Sequence, residues 1–190
     1  MTESATPKEK LQEMIAEADT GARNPTGSLP KTILFLVPLC WTLFQLWHAS
    51  PLPFVFNFGV FNSTEARAIH LAFAIFLSYT AYPTFRRSPR DYIPVQDWIL
   101  ALIAAFCSAY LFLFYDQLSQ RPGLPTQLDL VVSIVGLILL LEATRRALGP
   151  PLMIVATVFI IYTFAGPHMP AVISHKGASL AKGMSHYWLS

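Results

Sequence analysis

Two long apolar runs give the second half of the chain its clearest pattern. One extends from Leu128 to Leu141 and the other from Pro151 to Ala165. With its amphipathic flanks each run reaches roughly 17 to 20 residues, about 26 to 30 Å of helix, which is enough to cross a bilayer. Arg145 and Arg146 lie between the runs, and each would cost about 2.5 to 3.5 kcal/mol at the bilayer centre. The pattern predicts two membrane-spanning helices joined by a basic turn at the membrane surface.

The residues after the two arginines define this turn more closely. Glycine readily adopts the left-handed conformation that ends many helices, so Gly149 is predicted to cap the first helix. Proline suits the first turn of a helix but not its interior, so Pro150 and Pro151 predict the start of the second. The two runs therefore form a predicted helical hairpin.

Three further apolar runs precede the hairpin, at residues 31–48, 64–83 and 97–115. The second is predicted to open on Asn62, Ser63 or Thr64 as its N-cap, and the third on Asp97. Small residues line one side of the third run and predict a close helix contact; they are Ala101, Ala104, Ala105, Ser108 and Ala109. Five crossings follow from the pattern. The alternative is four crossings, with residues 151–165 buried or re-entrant.

Polar segments flank these runs. A capping box at residues 6–9 and apolar residues at helical spacing up to Ala18 predict a short amphipathic helix in the N-terminal segment 1–30. The uncharged, phenylalanine-rich loop 49–63 is predicted to lie at the membrane interface, with a lid as the alternative. Arg67 and His70, near the start of the second run, are expected to extend towards the interface.

Basic residues lie mostly on one side of the predicted membrane. With five crossings and the N-terminus inside, nine are cytoplasmic: Lys8, Lys10, Arg23, Lys31, Arg86, Arg87, Arg90, Arg145 and Arg146. Four are outside: Arg67, Arg121, Lys176 and Lys182. The excess favours a cytoplasmic N-terminus and a C-terminus on the opposite side.

Composition agrees with this topology. Hydrophobic residues make up 54% of the chain and charged residues 13%, against roughly 45 to 50% and 25% in soluble domains. Mean hydropathy is +0.47. The fold class predicted is an all-α integral membrane protein of about five transmembrane helices, in contact with membrane lipid.

The sequence contains no glycine-rich phosphate loop, nucleophile elbow or metal-ligand spacing. We therefore expect no enzyme activity, cofactor, metal or nucleic-acid partner. Glu142 is the main candidate, because Arg145 and Arg146 follow it at the i+3 and i+4 positions and allow local ion pairs. Its role is a structural pair, a contact to a partner subunit or a proton relay. No second buried polar group is expected at the depth of Glu142, so no substrate path is predicted.

Three strings in the second half are distinctive. They are LEATRRALG at residues 141–149, YTFAGPHMP at 162–170 and ISHKG at 173–177. They resemble the N-terminal part of fused permeases of TRAP (tripartite ATP-independent periplasmic) transporters of the TAXI subtype. The resemblance covers about residues 128–190 specifically, whereas the upstream runs agree mainly in number and spacing.

The resemblance implies a division of the chain and a function. Residues 31–148 correspond to a four-helix Q-type domain, 149–170 to a connecting helix and 171–190 to a periplasmic tail leading to the large M-type part. Family members import organic acids across the bacterial inner membrane with a cation gradient, and a TAXI-type extracytoplasmic binding protein delivers the substrate. The expected role is a scaffold for the M-type subunit or domain, which is the separate or fused partner.

The alternative function is that of a self-sufficient small membrane protein, either a channel or an assembly factor. Its uncharged spans argue against a channel, which needs a polar lining.

Overall fold

In the computed structural model, residues 21–85 and 88–189 are described, and within them every regular element is helical. The helices are α1 (Ser28–Ala49), α2 (Leu52–Phe56), α3 (Ser63–Ala81), α4 (Val95–Leu113), α5 (Tyr115–Ser119), α6 (Gln127–Leu148), α7 (Pro150–Ala165) and α8 (Leu180–Trp188), with a 3₁₀ turn at Gly166–His168 after α7. The predicted N-terminal amphipathic helix and the basic residues Arg86 and Arg87 lie outside the described residues.

Four segments in the described part of the chain are long and apolar enough to cross a membrane. They are α1, α4, α6 and the segment Pro150–His168 that contains α7. The predicted all-α fold is confirmed for the described residues, and the four apolar helices are compatible with a multi-pass membrane protein. Helix α3 is not among the four, because Glu65, Arg67 and His70 occupy its first two turns. Its assignment as a fifth crossing stays a prediction.

Helices α3 and α4 form the most extensive contact in the bundle. The small side chains of Ala101 and Ala104 are fully buried and let α3 approach closely. Ile75 and Tyr79 of α3 fill the space beside them. The small-residue face predicted on α4 is thus a helix contact, and it is centred on Ala101 and Ala104.

The helix ends predicted at Asn62, Gly149 and Pro150 are confirmed. Gly149 has a φ of +86° and ends α6, and Pro150 begins α7. Asn62 is the N-cap of α3, where its side chain accepts hydrogen bonds from Thr64 and Glu65. Glu65 in turn accepts one from the Asn62 backbone at 2.9 Å, which completes a capping box.

The last helix, α8, folds back against the bundle. Trp188 is buried, its indole nitrogen donates to the Cys107 carbonyl at 2.9 Å, and its ring lies on Gly136. A Cβ at position 136 would overlap the ring, so this approach requires glycine. Gly136 lies near the middle of α6, about 13 Å along the helix from Gln127. The tail therefore reaches inward to the depth of the helix centres.

The aromatic loop before α3 lies at the end of the bundle where Trp188 enters. Phe54, Phe56 and Phe58 are exposed, and Trp47 packs against the last two. Phe61 instead contacts α4 through Phe112. The interfacial position of this loop stays a prediction.

Candidate functional site

A fully buried aspartate lies at the opposite end of the bundle. Asp97 is predicted from sequence to cap α4, and this prediction is wrong. Pro94 holds the N-cap position in extended conformation, and Asp97 is the third helical residue, with its side chain 1% exposed. The helix dipole favours a carboxylate there, but a buried charge also needs partners.

Two arginines from distant parts of the chain supply these partners. Arg23 Nη2 donates to Asp97 Oδ2, and Arg146 Nη1 donates to Oδ1 at 2.9 Å. Both guanidinium groups are at most 2% exposed. Thr84 adds a weak hydroxyl contact to Oδ1 at 3.4 Å. Both carboxylate oxygens of Asp97 are thus occupied by ionic hydrogen bonds.

Arg23 is held in place by a strap, which we define as residues 21–27. Backbone hydrogen bonds fix the strap to the end of α3 and to the loop before α4: Arg23 to Ala81 at 2.7 Å, Asn24 to Arg90 at 3.1 Å and Thr26 to Asp91 at 2.8 Å. The Arg23 side chain also donates to the Tyr79 and Thr80 carbonyls, at 3.1 and 3.3 Å. These are carbonyls of the last turn of α3, which need partners outside the helix. Arg23 therefore satisfies carbonyl groups at the end of α3 and also neutralises the charge of Asp97.

Glu142 connects this pair to the end of α6. It accepts from Arg145 at 2.7 Å and from Arg146 at 2.8 Å, so the ion pairs expected from the i+3 and i+4 spacing are present. Arg145 also donates to the Thr84 carbonyl at 2.9 Å. The guanidinium of Arg146 lies 4.5 Å from the centre of the Tyr79 ring, a cation–π contact.

We call these five residues the arginine cluster: Arg23, Asp97, Glu142, Arg145 and Arg146. The expectation that no second buried polar group lies at the depth of Glu142 is wrong. The start of α4 and the end of α6 meet at the same end of the bundle, and the strap returns there as well. This places Asp97 and Arg23 beside Arg146.

The geometry of the cluster favours a structural role over proton transfer. Arginine stays protonated in proteins, and each carboxylate receives hydrogen bonds from two guanidinium groups. Neither Asp97 nor Glu142 offers an unoccupied carboxylate for carrying protons. The Asp97 pairs are buried, whereas Glu142 and Arg145 are partly exposed. Buried pairs contribute little net stability, yet removing one partner strands a charge in an apolar site. The cluster therefore fixes the relative positions of the strap, α4 and α6.

A second buried aspartate, Asp129, lies at the other end. It is the third residue of α6 and forms a capping box with Thr126, whose backbone donates to it at 2.7 Å. Tyr110 donates to the same carboxylate at 2.7 Å and Arg121 at 3.0 Å. Nε of Arg121 is buried without a hydrogen-bond partner in the described chain. The sequence marked the segment around Arg121 only as a turn.

His70 also has partners that the sequence did not indicate. Trp41 Nε1 of α1 donates to its Nδ1 at 3.2 Å, and the Gln45 amide contacts the same nitrogen. Arg67 is exposed and donates to the Ser63 carbonyl at 3.0 Å. His70 thus links α1 to α3, while Arg67 stays at the helix end.

The sequence contains partial signals for the ion pairs that sequence analysis did not predict. An acid at the start of an apolar helix and an arginine at the end of its antiparallel neighbour suggest a pair such as Asp97 and Arg146. No signal of comparable strength singles out Arg23. Among residues 21–85 and 88–189, no group of three metal-ligating side chains comes together. No family model, curated protein or solved structure matches the chain.

Proposed function

We propose that the chain is a membrane scaffold, namely the small Q-type part of a TAXI-type TRAP secondary transporter. The sequence strings at residues 141–149, 162–170 and 173–177 suggest the family. The observation that carries the scaffold role is the arginine cluster, in which Asp97 joins the strap, α4 and α6 through buried ion pairs. Buried ion pairs between separate segments favour a rigid bundle, as a scaffold requires.

The position of the buried charges supports a frame over a transport path. Transporters usually bind substrate and ions near the bilayer midplane, where helices are broken. Asp97 and Asp129 instead lie in the first turns of α4 and α6, and both helices are continuous. In the described chain, the buried ionic groups lie towards the helix ends. On this proposal, substrate and coupling-ion sites belong to the M-type partner.

Helices α1 and α7 supply the surface for lipid and partner. Both are described throughout, and neither contains a buried residue. Large apolar side chains such as Phe35, Leu43 and Phe159 are exposed along them. Within the proposal, this surface contacts membrane lipid and the large M-type subunit or domain.

The proposed topology has five crossings. Helix α3 runs antiparallel to α4, since Phe61 before its start meets Phe112 at the end of α4, and Thr80 near its end lies by Asp97. A helix that buries its sides against protein needs a less apolar sequence than one surrounded by lipid. The charged first turns of α3 lie at the bundle end, where water or headgroups solvate them. We place the N-terminus in the cytoplasm and the C-terminus across the bacterial inner membrane.

The transport activity is that of the assembled system. We propose import of organic acids driven by a cation gradient, with a TAXI-type extracytoplasmic binding protein delivering the substrate to the M-type part. The chain described here supports that part and binds no substrate itself.

Reconstitution tests this proposal. The chain alone in liposomes, given an imposed sodium or proton gradient, is expected to take up no organic acid. Co-expressed with a TAXI-type M permease, it is expected to co-purify, and uptake is expected once the binding protein is added. Uptake by the chain alone would contradict the scaffold role. Failure to co-purify with any M-type permease would contradict the family assignment.

A further inference from the structure

A cavity of about 370 Å³ opens beside the arginine cluster. It lies between the start of the strap, the loop after α3 and the turn from α6 to α7. The cavity is many times larger than the roughly 30 Å³ that one water molecule occupies in the liquid. Because it sits at the helix ends, it is at the level of lipid headgroups if the bundle spans a membrane.

Three arginines line this cavity, namely Arg90, Arg145 and Arg146, and none of its described lining residues is acidic. The carboxylates of Asp97 and Glu142 belong to the cluster behind it. Adding Arg90 to the arginine cluster gives four guanidinium groups against two carboxylates, an excess of two positive charges. The cavity is therefore attractive to an anion.

Hydrogen-bonding capacity remains on these side chains. Arg145 uses Nε and Nη2 for Glu142 and Thr84, and among the described residues Nη1 has no acceptor. Arg146 uses Nε for Glu142 and Nη1 for Asp97. Its Nη2 likewise has no acceptor among the described residues. Arg90 is exposed and makes no side-chain ion pair within the described chain. Three guanidinium groups thus have N–H donors to offer a ligand.

The start of a helix often binds anions through its free backbone N–H groups, but the backbone next to this cavity does not provide them. Helix α7 begins there, but Pro150 and Pro151 occupy its first two positions and have no backbone N–H. The anion would therefore be held by arginine side chains. Guanidinium groups match the geometry of phosphate oxygens and bind them in a bidentate manner.

We propose that this cavity binds the phosphate of an anionic phospholipid headgroup. Basic pockets between membrane helices commonly take such headgroups. The surroundings favour lipid over free phosphate, because Phe85, Leu148 and Leu152 are exposed apolar side chains beside the cavity and along the start of α7. The phosphate contacts the arginines while the acyl chains lie along the apolar surface of α7.

Native mass spectrometry of the full chain in detergent tests the assignment, with phosphatidylglycerol and phosphatidylcholine added at equal concentration. The chain is expected to retain one phosphatidylglycerol in preference to phosphatidylcholine. Arg90→Gln removes one guanidinium without breaking an ion pair of the cluster, and it is expected to weaken phosphatidylglycerol binding about fivefold.

Lys31→Gln is the matched control, because Lys31 is an exposed basic residue at the same end of the bundle but outside the cavity. It is expected to leave binding unchanged, and circular dichroism checks that both variants keep the helix content of the parent. Equal binding of the two lipids, or an equal loss in both variants, would overturn the proposal. Displacement of the lipid by an equal concentration of inorganic phosphate would assign the cavity to the free ion instead of the headgroup.

Discussion

Each end of the bundle contains a buried aspartate near a helix start, and the two aspartates obtain their partners differently. Asp97 and Asp129 are each the third residue of a long helix, and each is fully buried. The partners of Asp129 are close in sequence, between 3 and 19 residues away. The two arginines that pair with Asp97 are 49 and 74 residues away. Asp129 therefore organises its own helix end, whereas Asp97 holds together three separate parts of the chain.

The partners also differ in exposure. Arg121, which pairs with Asp129, has a side chain 30% exposed, so it reaches water when the pair is broken. The side chains of Arg23 and Arg146 are at most 2% exposed, so neither reaches water when its ion pair is broken. The same substitution should therefore cost more stability at the Asp97 end than at the Asp129 end.

The largest effect is expected from Asp97→Ala. Among the described residues, this change leaves Arg23 without a carboxylate partner and Arg146 with Glu142 alone, and both arginine side chains are buried. Stranding buried charge in this way costs about 3 to 5 kcal/mol. The free energy of unfolding, measured by SDS titration in mild detergent micelles, gives the value. A loss below that of Asp129→Ala would contradict the distinction between the two ends.

Arg23→Ala is expected to cost less, about 1.5 to 3 kcal/mol, the range for hydrogen bonds to charged groups. Asp97 then keeps Arg146, while the Tyr79 and Thr80 carbonyls lose their donor. The same SDS titration measures the loss. Arg23→Lys should recover only part of it, since an ammonium lacks the guanidinium fork. Full recovery by lysine would show that charge alone matters here.

Asp129→Ala is expected to cost about 1 to 2 kcal/mol, because it removes half of a capping box and the acceptor of the Tyr110 hydroxyl. Tyr110→Phe separates the two contributions, since it removes the hydroxyl and leaves the capping box intact. Thermal unfolding of both variants gives the comparison. Equal destabilisation by the two changes would mean that the capping box contributes nothing.

The smallest effect is expected from Arg121→Ala, about 0.2 to 1 kcal/mol, as for exposed ion pairs. Its side chain is partly solvated, and Asp129 keeps its bonds to Tyr110 and Thr126. Raising the salt concentration should reduce the difference from the parent further. A loss as large as that of Arg23→Ala would show that both ends depend on long-range ion pairs.

Local features of the fold could be predicted from the sequence. Apolar runs predicted the long helices. Gly149 indicated a helix end through its backbone freedom, and Asn62 indicated a helix start through the hydrogen bonds that its side chain accepts. The ion pairs of Glu142 follow from helical spacing alone. Each of these depends on residues within a few positions of one another.

The features that the sequence did not reveal depend on distant contacts. Arg23 lies in a strap without helical periodicity of apolar residues. Its partner Asp97 has the sequence position expected of an ordinary helix N-cap. A glycine such as Gly136 in an apolar helix indicates a close contact, but nothing near it identifies Trp188 as the residue that packs there. Such pairings need the three-dimensional arrangement of the helices.

A double-mutant cycle on Arg23 and Asp97 tests the central claim most directly. The free energies of unfolding of Arg23→Ala, Asp97→Ala and the double variant give the coupling between the strap and α4. If the ion pair joins them, the double variant is less destabilised than the sum of the single changes by about 1.5 to 3 kcal/mol, the range for hydrogen bonds to charged groups. Strictly additive effects would contradict the account, because they would show that the strap and α4 are stabilised independently.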